Sequence, residues 1–182
     1  KTFNTFSYSL SYANLIFMSV VINDLIDGST GKIKTTYTNS GKPYGAFKST
    51  STQSGFTANT TYTANSPTVT ENGGITVVNG NEFKVPSSGT YAIQFSVQLK
   101  KTQGTVNKTI ETWLKKNETD ISDTNTTITL FNNNRINITL FNFVVTLDTD
   151  DYIQLAFNVS DSNIILENTT GVPSVTFTIV QT

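Results

Sequence analysis

The chain contains no cysteine and no histidine. Without them neither a Ser–His nor a Cys–His nucleophile can be assembled, and the commonest general base and transition-metal ligand is missing. No disulfide can staple the fold. Charge is scarce as well. Asp, Glu, Lys and Arg together make up 14% of the 182 residues, about half of the usual share. The net charge is −1, arginine occurs once (Arg135), and no run of basic residues exceeds two. A basic footprint for nucleic acid or an anionic membrane is therefore excluded, as is an arginine cluster for phosphate. Long apolar runs are also missing. The most apolar window, residues 15–22, is far shorter than the ~20 residues of a membrane-spanning helix and lacks the flanks of a signal peptide. No membrane span is expected.

Hydroxyls and amides take the place of charge: 33 Thr, 17 Ser and 20 Asn. Thr favours strands, whereas Asn and Ser favour turns. Hydrophobic residues at 36% and aromatics at 11% are enough for a core. Seven N-x-Ser/Thr sequons occur, at Asn59, Asn107, Asn117, Asn125, Asn137, Asn158 and Asn168. In a chain this rich in Asn, Ser and Thr, roughly five or six arise by chance, so they read as composition.

Alternation with period 2 dominates from residue 56 onward. Tyr91, Ile93, Phe95, Val97 and Leu99 point one way, while Ala92, Gln94, Ser96, Gln98 and Lys100 point the other. Ile153, Leu155, Phe157 and Val159 alternate likewise. Residues 75–78 and 82–85 flank Asn79-Gly80, a dipeptide suited to the two-residue hairpin turn that needs positive φ. Further strands are expected over residues 109–115, 125–131, 163–167 and 174–180. Residues 135–147 carry two apolar phases. Ile136, Ile138 and Leu140 are even; Phe141, Phe143, Val145 and Leu147 are odd. One strand cannot bury both sets on one face, which predicts a bulge or a sheet-to-sheet corner near Leu140.

The first part of the chain, residues 1–55, reads as an extension of strands and loops. Residues 15–22 suit a strand buried on both faces or a short helix, and residues 32–38 an exposed strand. Residues 38–55, rich in Ser, Thr, Gly and Lys, read as a linker, where Tyr37, Tyr44 and Phe47 are available to a neighbouring protein.

Three segments carry a resemblance. The first is Phe83-Lys84-Val85-Pro86-Ser87-Ser88-Gly89-Thr90-Tyr91-Ala92-Ile93-Gln94-Phe95. The second is Thr112-Trp113-Leu114-Lys115-Lys116-Asn117-Glu118. The third is Val144-Val145-Thr146-Leu147-Asp148-Thr149-Asp150-Asp151-Tyr152-Ile153-Gln154-Leu155. In this order they resemble the jelly-roll superfamily that holds tumour necrosis factor and the globular head of the complement first component's q subunit. Asp150 stands where that family usually has glycine, and would have to adopt positive φ. The resemblance implies an all-β, antiparallel jelly-roll sandwich over residues 56–182, with residues 1–55 as an N-terminal anchoring or assembly segment. It implies a homotrimer that works by binding, with the strand over residues 175–180 near the trimer axis. The Asn- and Thr-rich, cysteine-free style is most similar to members carried on viral or phage fibres, spikes and capsid exteriors, or on bacterial surface filaments.

The expected function is accordingly that of a structural virion-surface protein: a spike, a fibre head or a minor capsid component. It would meet a host receptor or glycan through its loops and other capsid or fibre proteins through residues 1–55. The alternatives are an extracellular trimeric ligand or opsonin-like protein, a carbohydrate-binding module, and a single jelly-roll capsid block. No enzyme activity and no cofactor are expected. Asp148, Asp150 and Asp151 form the densest acidic cluster. They are weak metal candidates set against a solvated turn. Trp113, Phe141, Phe143 and Phe177 are expected to be divided between core and trimer interface, with a sugar-stacking platform as the other reading of Trp113.

Overall fold

The computed structural model describes residues 41–182. The readings made for residues 1–40, including the apolar run at 15–22, the strand at 32–38 and Tyr37, lie outside the described residues. Every regular element among the described residues is a strand, numbered here in chain order. One sheet runs β10 (Ile136–Leu147), β6 (Gly89–Lys101), β13 (Val175–Gln181), β1 (Tyr44–Ser49) and β3 (Thr68–Gly73), with β12 (Ile164–Leu166) also paired to β6. The other runs β4 (Thr76–Val78), β5 (Glu82–Lys84), β11 (Tyr152–Val159), β7 (Lys108–Lys116) and β8 (Thr119–Asp120). There β2 (Thr61–Thr63) pairs with β11 and β9 (Thr126–Leu130) with β7. All pairings between strands are antiparallel. The fold is an all-β sandwich.

Alternation dictates what lies between the sheets. Tyr91, Ile93, Phe95, Val97 and Leu99 of β6 are buried, and they join Ile153, Leu155, Phe157 and Val159 of β11 in one core. At its centre Phe83 and Phe95 meet Phe177, with ring centroids 3.9 and 4.3 Å from it. Asn79-Gly80 turns the β4–β5 hairpin with positive φ at both residues, but Val78 pairs with Glu82, so the connection spans three residues, 79–81, rather than two.

Two expectations are corrected. Residues 42–49 are not linker. The compact unit begins at Lys42 rather than at residue 56, because β1 lies between β13 and β3 and sends Phe47 into the core, 5.0 Å from Phe83. Its signal was masked by short length and by Gly45, where a Cβ would stand 2.6 Å from the Phe47 ring. Phe47 is thus spent on this domain's own core and is closed to a neighbouring protein. The second correction concerns residues 135–147. β10 pairs with β6 in unbroken register from Ile136–Lys100 to Leu147–Gly89, with no bulge at Leu140. The conflict between the two apolar phases is resolved differently: the odd set faces the core and the even set faces out.

Candidate interaction surface

The outward set defines the most conspicuous surface of the domain. Ile138, Leu140 and Val144 are 70%, 55% and 71% exposed. Register extends this surface across the sheet. Val144 of β10 stands opposite Ala92 of β6, Ala92 opposite Val180 of β13, Val180 opposite Tyr44 of β1, and Tyr44 opposite Gly73 of β3. The neighbouring row is Asn142, Gln94, Thr178, Ala46 and Glu71. A shallow groove of about 380 Å³ runs between the two rows at β10, β6 and β13. β10 contributes no charged residue along its twelve positions, and among the described residues it is the outermost strand of its sheet. Edge strands are ordinarily protected by charge, proline or cover; β10 carries neither charge nor proline. Its signal in the sequence is the second apolar phase of residues 135–147.

The four aromatics expected to be shared between core and interface fall mostly on one side of that division. Phe177 and Phe141 are buried in the core. Trp113 is buried too, but on the outer face of the second sheet, directly opposite Ala156, whose small side chain leaves room for the indole. Its Nε1 donates to Asp120 at 2.7 Å. A ring only 6% exposed offers no sugar-stacking platform. Phe143 alone is half-buried, packed against the core. Three of the four therefore lose their exposure within a single chain, and the residues left for an interface are Ile138, Leu140, Val144 and Val180.

The acidic turn is built for holding loops together. Asp151 is buried. Its carboxylate receives the Lys116 ammonium at 2.5 Å, the Asn117 amide at 2.6 Å and the Asp148 N–H at 2.7 Å. Burial alone would push this carboxyl up, but those donors outweigh it and hold it below the usual range. Asp150 adopts φ 71°, as its place in the turn requires, and pairs with Lys84 at 3.0 Å. The Asp148 side chain is exposed. The three carboxylates thus have separate roles, and among the described residues no three Asp or Glu side chains gather as metal ligands. Backbone and hydroxyl bonds complete the turn's attachment. Val85 N–H donates to Asp151 O, Asp150 N–H to Val85 O, and Ser88 and Thr149 exchange bonds between N–H and hydroxyl. The Tyr91 hydroxyl, within a buried residue, donates to Ser87 O at 2.7 Å and closes the Pro86 turn. All three segments that carry the family-like motifs therefore meet at one end of the sandwich, with Asp151 at their junction.

A second carboxylate, Asp161, binds Lys108 at 2.7 Å and accepts the Asn163 N–H, which together lower its pKa to about 2. Like Asp151, it is committed to a structural ion pair. Set against known proteins, the chain matches no family model, and no curated protein is significantly similar to it.

Proposed function

We propose that this chain is a structural surface protein of a virion or comparable particle, a spike, fibre head or minor capsid component. In this reading it assembles as a homotrimer and mediates host attachment or particle assembly without catalysis. The observation that carries the reading is the exposed apolar row on the outer face of the six-stranded sheet, centred on Ile138, Leu140, Val144 and Val180, with β10 free of charge. Exposed apolar side chains of this kind, continuous across several strands, mark interaction sites. An edge strand without charge is also compatible with its own copy, since symmetry brings identical residues together and like charges would repel. The strand order, with β13 between β6 and β1, and the junction of the three motif segments at Asp151 both support a jelly roll of the tumour necrosis factor type. A closed trimer would present three copies of each loop, so that weak contacts with a host surface act together. The Asn- and Thr-rich, cysteine-free composition supports placement on a particle exterior.

Light scattering of the full chain tests this. The expected mass is three times the 19.9 kDa of one chain. Leu140→Glu and Val144→Asp, both at exposed positions, are expected to yield folded monomers, because surface changes of this kind shift stability by only about 0.5 kcal/mol. A monomeric wild-type chain would refute the reading. A five- or six-fold assembly would replace it with a single jelly-roll capsid block.

A further inference from the structure

Away from the apolar face, the loop that follows β1, the strand β2 and the β4–β5 turn enclose a cleft of about 540 Å³. This lies within the range of small-ligand sites, about 300–1,000 Å³. Its composition is specific. No Asp, Glu, Lys or Arg lines it; hydroxyls and amides such as those of Ser51, Thr52, Gln53 and Asn65 do, around the rings of Phe56 and Tyr62. We propose that this cleft binds a neutral oligosaccharide.

Chemistry narrows the ligand class. A phosphate, sulfate or acidic sugar would meet no cation here, and a wholly apolar ligand would leave the hydroxyls and amides unpaired. A neutral sugar presents hydroxyls that both donate and accept, together with C–H faces that pack on aromatic rings. The cleft offers partners for both. Tyr62 is held by Phe56 at 5.0 Å and Phe157 at 5.9 Å between ring centroids, and its hydroxyl oxygen accepts the Thr57 N–H at 2.8 Å.

The walls are fixed in advance of binding, which lowers the ordering cost. The Gln53 side chain acts as a backbone mimic: Nε2 donates to Asn65 O at 2.9 Å, and Asn65 N–H donates to Oε1 at 3.0 Å. Its main chain exchanges two bonds of 2.9 Å with Leu166. Thr52 is tied in turn to Asn168, whose N–H donates to Oγ1 at 3.1 Å. Two buried polar atoms without a partner, Ser66 Oγ and Asn81 Oδ1, belong to residues adjacent in sequence to lining residues. Ser66 sits between the lining residues Asn65 and Pro67, and the Asn81 amide nitrogen donates to the lining Thr63 at 2.6 Å. Unpaired buried polar groups are uncommon in folded proteins, and two of these belong to neighbours of the lining residues in the chain.

The site shares no residue with the self-association face, so either proposal can fail alone: one is read by mass, the other by ligand signal. The test applies the full chain to an array of neutral, sialylated and sulfated glycans, followed by saturation-transfer NMR with the glycans retained. Retention of uncharged glycans is expected. Ser54→Trp, and as a second variant Ser51→Tyr, place a ring in the cleft from exposed positions whose side chains make no hydrogen bond in the structure. Each is expected to weaken binding at least about tenfold, the equivalent of 1.4 kcal/mol, at an unchanged thermal midpoint. Failure to retain any neutral glycan, retention of acidic glycans alone, or wild-type binding by both variants would overturn the proposal.

Discussion

Asp151 gathers donors from two places distant in sequence: Lys116 and Asn117 at the end of β7, and the Asp148 N–H of its own turn. Its replacement by asparagine would remove the charge that Lys116 faces and would present an amide where acceptors are needed. A hydrogen bond to a charged group contributes about 1.5–3 kcal/mol. Asp151→Asn is therefore expected to cost roughly 2–3 kcal/mol in chemical denaturation, with the sandwich still formed. A loss no greater than that of an exposed Thr→Ala control would show that the junction is held by its backbone bonds alone. The need for positive φ at Asp150 was legible in the sequence, because the position falls where the resembling motif has glycine. The Asp151 junction was not. It depends on which loops meet at one end of the sandwich, and no spacing along the chain encodes that.

At the scale of the element, legibility followed burial. Strands buried on one face, such as β6 and β11, announced themselves by alternation. β1 did not: only Phe47 among its six residues is a large core side chain, and Gly45 breaks the pattern. β3, with the segment TVTENG, is almost wholly exposed and holds its place by pairing with β1. β10 was legible too, but its two apolar phases predicted a bulge or a sheet-to-sheet corner, whereas the strand is continuous and its second phase faces out. The placement of β1 makes a sharp prediction. Removal of residues 1–41 should leave a cooperatively folding sandwich, whereas removal of residues 1–55 should not. The longer truncation deletes Phe47, and losing one buried Phe side chain costs about 3–5 kcal/mol by itself. Thermal unfolding followed by circular dichroism distinguishes the two. Equal midpoints would return residues 42–55 to the status of linker.

Across the whole molecule, two ion-paired carboxylates set the response to acid. Asp161 is lowered to about 2, and Asp151 is lowered as well, from an ordinary value of 3.8. In the window between those values the unfolded chain binds more protons than the folded one. Their contribution is therefore complete above about pH 4 and is lost as pH falls towards 2. The thermal midpoint should decline across that window, and the decline should be shallower in Asp161→Asn. A midpoint independent of pH over that window would contradict the structural roles of both pairs. The position of β13 has a consequence of another kind. It follows every other strand in chain order, yet it lies between β6 and β1, and Gln181 N–H reaches Pro43 O. On a ribosome, β1 emerges early and must wait, unpaired on that side, until some 130 further residues have been made. The six-stranded sheet, and with it the apolar face, is completed only when synthesis has passed residue 181, so any partner of that face meets a finished domain rather than a nascent one.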